Sequence, residues 1–548
     1  MNNKLKFLVL LLAGLASGAG AFAASNPQVL ADPVLRSLQL EMERSKAHLR
    51  LDNMALPYFI DYRVEDIDSW DADAALGGVR NESRSRVRIL LVQVRLGDYK
   101  QDNSSARGEG SIEVVPLDND DRAFRFQVWS ATDKAYKQAI EGLTDKQARL
   151  KQLTIDHPVD DFAHADAVET LQPVAELRTE REPWLKMLRD ASSLYLRDPK
   201  IYFLNAALNF KVINRYYLNS EGTVVRTGSE LYRITVGGNT QADDGMRLER
   251  SAGFTATSVK DLPTAAQLQT ETATLIESLM QLRVAPLADE DYHGPVLFSA
   301  DSSTTLFSVL IGDNVLGHKP ELGQNARVRG QFASSFRTRV LPDFLTVVDD
   351  PTLVAIQGVG MLGHYDVDDE GVRAERVPVV ENGVLVRYLM GREPIRDFPV
   401  SNGHGRANLP LGWPAPALGN LVVTSSTGAT PAELKKRLID MCNERGLDYG
   451  YYAATMGGAR APRLLYRIWV KDGREELVRG GLFGDLDQRS MRSNIVAAGN
   501  DAYVNSDVHP IPHSVAAPSV LFDDLEVKRQ TSNKDKLPEY PAPLPLKK

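Results

Sequence analysis

His509-Pro510-Ile511-Pro512-His513 sets two imidazoles four residues apart, a pair of nitrogen donors suited to a borderline-soft metal ion. Two prolines forbid a helix there, although an extended loop can still turn both rings onto one ion. Two ordinary loop histidines is the simpler reading, because spacing without a fixed backbone specifies no coordination geometry. A second cluster is Asn402-Gly403-His404-Gly405-Arg406. Its glycines imply close backbone approach or positive φ, and a guanidinium at Arg406 can hold a carboxylate. A substrate groove and a purely structural turn both fit Asn402, His404 and Arg406. His364 with Asp366, Asp368, Asp369 and Glu370 supplies oxygens for a hard cation, but a solvated turn is the reading preferred. The sequence contains neither a Gly-x-Ser-x-Gly elbow nor a Walker-type phosphate loop, so serine hydrolysis and nucleotide hydrolysis have no anchor. The single cysteine, Cys442, excludes an internal disulfide and reads as a small buried side chain.

The elements that must position these residues follow from periodicity and turn chemistry. Residues 28–52 predict a helix with Glu41, Glu43 and Arg44 on its outer face. Residues 86–96 alternate at both ends around Leu90-Leu91-Val92, which predicts a strand buried on both sides at its middle, or a bulge. One or two helices are expected over 121–153, and further helices around 181–195, over 263–283 and over 431–445. Ser220-Glu221-Gly222, Asn382-Gly383 and Asp472-Gly473 each sit between strand-like runs and predict hairpins. Pro378 places its strand at a sheet edge. The fold class expected is α+β with two domains: a mixed α/β-sheet domain over 24–290 and a β-rich domain over 291–530, followed by a Pro/Lys-rich tail, 531–548.

Residues 1–23 read as an export signal, with Lys4 and Lys6, an apolar run from Phe7 to Leu15, and Ala21-Phe22-Ala23 before the cut. A retained anchor is the competing reading. No later run reaches the roughly 18 apolar residues of a membrane span, so none is expected after signal cleavage, and the location expected is periplasmic or secreted. Net charge is −8, becoming −10 once Lys4 and Lys6 leave, and without a basic cluster nucleic acid is not an expected partner.

An ordered series of segments resembles the TldD/PmbA family, metallopeptidases and their relatives historically called modulators of DNA gyrase. It comprises Val347-Val348-Asp349-Asp350-Pro351-Thr352, Asp368-Asp369-Glu370-Gly371, Glu381-Asn382-Gly383-Val384-Leu385, Asn402-Gly403-His404-Gly405-Arg406 and Gly419-Asn420-Leu421. Fainter matches at Tyr62–Asp66, Asn219–Gly222 and Ala242–Gly245 extend the resemblance over most of the chain.

The resemblance implies a zinc site built on an HExxxH helix, with two His ligands, a Glu general base acting on the metal-bound water, and a later Cys. Here the corresponding stretch reads Gly312-Asp313-Asn314-Val315-Leu316-Gly317-His318. Asp313 stands at the first ligand position and could ligate only through oxygen. Asn314 stands at the base position and cannot take a proton, and His318 is the one ligand left. No thiol lies near Gly499–Val508. The resemblance therefore implies a member without the zinc motif: a non-catalytic subunit that forms a peptide-holding chamber with a homologous zinc-bearing subunit, or with a second copy of itself, and that carries no cofactor. The alternatives are an active metallopeptidase whose metal site is rebuilt from His318 with Asp313, His509 or His513, zinc then being its cofactor, and a stand-alone peptide-binding or scaffolding protein. A peptide or unfolded segment is the partner expected in each case.

Overall fold

The computed structural model describes residues 26–51, 54–104, 110–408 and 412–530. The predicted signal and tail lie outside them. The first half is organised on one seven-stranded sheet whose central strands are unusually long. Phe59–Ala75 pairs antiparallel with both Gly78–Arg95 and Phe203–Asn219, and the latter pairs with Val224–Gln241. Ser111–Val115 closes one edge, while Glu169–Leu171 and Arg247–Ala256 both attach to Val224–Gln241.

Alternation along these strands explains what lies on each face. Even-numbered Ile60, Tyr62, Val64, Trp70, Ala72 and Ala74 point to one face and are buried. Helices Pro33–His48 and Asp121–Leu150 cover one end of that face. Helices Arg181–Ser192 and Ala265–Val284 cover the other. Asp121–Leu150 is a single helix, and Thr264 starts Ala265–Val284 with a capping box to Gln267. Odd-numbered Asp61, Arg63 and Glu65 point to the opposite face, which meets the second half of the chain.

Among the described residues, that second half holds two large sheets besides two two-stranded ones. In one, Val384–Leu385, Val377–Glu381, Leu345–Asp349, Asn420–Ser425, His513–Ala517 and Tyr503–Asp507 lie in that order. In the other, Asp291–Phe298 is flanked by Tyr449–Met456 and Val520–Arg529. A shared apolar core joins them through Val347, Leu421 and Val515 on one side and Val296, Phe298 and Phe522 on the other, with Leu306, Phe307 and Ile311 between. Helix Pro431–Glu444 covers the outer face of the second sheet and buries Cys442 there; burial pushes the thiol up to about 11.

Three expectations need correction. Glu41 is not on an outer face: the helix lies against Asp121–Leu150, and Glu41 is buried between them, holding Arg125 at 2.8 Å. Pro378 is not on an edge strand, since Val377–Glu381 lies between two neighbours. Val384–Leu385 reaches only Val380 and Glu381, however, so Pro378 itself has a ladder partner on one side alone, Val348. Residues 86–95 form no bulge; over them the register is constant, and Leu90, Leu91 and Val92 are buried on both faces. The Asn382-Gly383 turn forms as expected, with φ of 46° and 77°.

Candidate functional site

Gly312–His318 does not form one helix. Ser299 caps the run that begins at Ala300, accepting from the Ser302 N–H at 3.0 Å. The run passes through a π-turn at Phe307–Ile311 and closes in a tight turn at Gly312–Asn314. Asn314 then folds back on it. Its amide donates to the carbonyls of Leu310 (3.2 Å) and Val309 (3.4 Å), and its Oδ1 accepts from the Gln331 N–H at 3.3 Å. Beyond it the chain is extended: the Gly317 N–H donates to the Leu389 carbonyl at 2.8 Å. A Cβ at Gly317 would collide with the Met390 sulfur and that same carbonyl. Asp313 and His318 therefore sit on different elements, not on successive turns of a helix.

The side chains around this corner are dispersed. Asp313 is exposed; partial desolvation raises its carboxyl above the ordinary value and His513 opposes the rise, so these two groups are neighbours. His318 is half-buried, and burial together with Arg329 holds its imidazole below the usual value. His513 places Nδ1 2.9 Å from the Ile511 carbonyl, and His509 is exposed. Among the described residues, no three of Asp313, His318, His509 and His513 bring ligand atoms within 4.8 Å of one another. The one such group described is Asp291, His293 and Glu526 on the surface of the second sheet, where Glu526 already holds Lys528 at 2.8 Å. The residues at this corner do not fit a three-ligand zinc site.

Asn402, His404 and Arg406 are buried or nearly so. His404 is fully buried, with Nε2 3.1 Å from Asp349 Oδ1 and Nδ1 2.9 Å from the Asn402 carbonyl. Asn402 accepts from the Met390 N–H (2.7 Å) and donates to the Tyr388 carbonyl (2.9 Å). Arg406 stacks on the Tyr365 ring at 4.1 Å. The acidic run is likewise internal. Only Asp366 is exposed; Asp368 and Asp369 are buried, which corrects the solvated-turn reading. Asp368 accepts backbone N–H groups from Glu370, Val372 and Gly405, and Asp369 accepts one from Ala407 and pairs with Arg215 of the first sheet. Burial raises the carboxyls of both Asp368 and Glu370, and Asp368 raises Glu370 further. The motifs thus interlock, and they bolt the two halves of the chain together. Arg392 does the same: it is buried and donates to the Ala163 carbonyl and to Glu221.

Arg215, Arg392 and the role of Asp349 escaped the sequence reading. Asp349 had a signal in its Asp-Asp-Pro motif; the arginines had none, because their partners lie more than 100 residues away.

Residues 291–529 match the PmbA/TldA metallopeptidase C-terminal domain. Over these residues the chain is similar to the TldD/PmbA family. Relatives of the family include a metalloprotease TldD homolog of Buchnera aphidicola, 24% identical over 42% of this chain and 50% of its own length. A metalloprotease of Methanocaldococcus jannaschii is 27% identical over 39% of this chain and 44% of its own. Escherichia coli metalloprotease PmbA is 24% identical over 45% of this chain and 48% of its own. The chain thus spans about half the length of the curated relatives it matches. Two solved structures share the fold over nearly the whole chain. A Thermotoga maritima protein named as a modulator of a DNA gyrase superposes with TM-score 0.58 at 17% identity, covering 89% of this chain and all of its own. TldE from Thermococcus kodakarensis gives 0.56 at 13%, covering 90% and 99%. The α+β TldD/PmbA architecture is therefore present in both halves.

Proposed function

We propose that this TldD/PmbA-family chain is a non-catalytic subunit that holds peptides or unfolded segments for a zinc-bearing partner, and that it acts outside the cytoplasm. The observation that carries the reading is Asn314, whose amide donates to the Leu310 and Val309 carbonyls. A general base must accept a proton, and this group is spent as a donor that ends a helix. The scaffold around it is otherwise packed, with interlocked motifs and a continuous core. The relatives' names as metalloproteases support peptide handling as the shared task, and the first 23 residues support export.

The test is to purify the chain from Ala24 onward, dialyse it against a weak chelator, measure zinc by elemental mass spectrometry, and assay hydrolysis of an unfolded protein such as casein. No turnover is expected from the chain alone, and a homologous zinc-bearing chain is expected to co-purify from the native source. Stoichiometric zinc with hydrolysis that His318→Ala abolishes would overturn the proposal in favour of a rebuilt metal site.

A further inference from the structure

A cleft of ≈ 290 Å³ opens one residue beyond His318, between the C-terminal end of helix Asp121–Leu150, residues 154–161, residues 319–327 and residues 394–396. Five cations line it: Lys100, Lys146, Lys319, Arg327 and Arg396. Three carboxylates, Asp156, Asp161 and Glu321, also line it, leaving an excess of two positive charges. Pairing decides which cations remain available. Asp161 takes both Lys146 and Lys319, the latter at 2.8 Å. Arg327 is held at 2.6 Å by Asp397, outside the lining. Asp156 and Glu321 accept from the side-chain amides of Asn325 (2.9 Å) and Gln324 (3.4 Å). Lys100 and Arg396 are left, and the buried Nε of Arg396 has no hydrogen-bond partner among the described residues. Apolar side chains line it too: Leu150, Ile155, Leu322 and Ile395.

An unpartnered guanidinium beside an apolar wall selects a ligand with an anionic end and an apolar body. A planar fork suits a carboxylate. A bare anion would use the cations and waste the apolar wall. A volume near 300 Å³ suits one or two residues rather than a folded partner.

We propose that this cleft anchors the C-terminal residue of a bound peptide, with Arg396 and Lys100 taking the terminal carboxylate and the Leu150–Leu322 side taking an apolar side chain. The inference rests on the reading of the chain as a peptide holder and adds to it the end of the peptide that is gripped.

The test is calorimetric titration of the chain from Ala24 onward with an acetylated tetrapeptide ending in leucine, as free acid and as C-terminal amide. The acid is expected to bind about tenfold tighter or more, the size of one charge-assisted hydrogen bond. Arg396→Gln with Lys100→Gln should reduce the acid to the affinity of the amide and leave the amide unchanged. Equal binding of acid and amide would overturn the anchor while leaving peptide holding intact. Failure of both peptides to bind would overturn both. A peptide ending in glycine that binds as tightly as the leucine peptide, with inorganic phosphate competing against either, would show an anion site only and overturn the proposal as well.

Discussion

Replacing Asn314 by glutamate would supply the carboxylate that a general base needs, and the geometry predicts that it gains no activity and loses stability. In the native chain the Asn314 amide makes two donor contacts to the last carbonyls of the helical run, at 3.2 and 3.4 Å. Both are long, so each is credited near the lower part of the range of about 0.5–1.5 kcal/mol for a neutral hydrogen bond. A carboxylate loses both and sets its own charge against two carbonyl oxygens, in a half-buried place where such repulsion is only partly screened. The expected cost is about 1–3 kcal/mol. For a unit the size of residues 291–529 this lowers the midpoint by roughly 2–4 °C per kcal/mol. The sign with pH is also determined. A protonated carboxyl can donate, so the deficit should shrink as pH falls toward 5 and grow toward 8. Guanidinium titrations of native chain, Asn314→Glu and Asn314→Gln at the two pH values measure this, with zinc-supplemented casein hydrolysis run in parallel. The reasoning fails if Asn314→Glu is as stable as the native chain at pH 8, or if it acquires zinc-dependent hydrolysis.

Other perturbations probe the interlocked motifs. His404→Ala leaves the fully buried Asp349 without its imidazole partner and should cost about 3–5 kcal/mol, read as a lower denaturation midpoint. Gly405→Ala drives a methyl into the Glu370 carboxylate; an overpacking loss of about 1–3 kcal/mol is expected by the same measurement. Burial pushes the Asp61 carboxyl up to about 6 from an ordinary 3.8. The folded state therefore keeps that proton longer, and the stability Asp61 contributes falls as pH rises from about 4 to about 6, by up to roughly 3 kcal/mol. Asp61→Asn should flatten that part of the stability–pH profile, and an unchanged slope would contradict the assignment.

Much of the local structure is dictated by short-range chemistry and was readable from the chain alone. Asn382-Gly383 can adopt two successive positive φ values, so the hairpin there needs no tertiary help. Thr430 and Glu433 close a capping box that starts helix Pro431–Glu444 wherever that helix docks. That Gly312–His318 holds no HExxxH pattern is a matter of residue identity and is legible for the same reason. The tertiary structure decided whatever depends on which surface meets which. Glu41 reads as a solvent-facing charge until a second helix lies across it. Asp368 and Asp369 read as a turn in water until the NGHGR segment wraps them and Arg215 arrives from the first sheet, 154 residues away along the chain. Burial and ion pairing at long range are properties of packed surfaces, and a charged residue carries the same letter whether it faces water or a buried partner. The cleft beside His318 belongs to this second class: its cations come from four separate segments, and only the fold makes them neighbours.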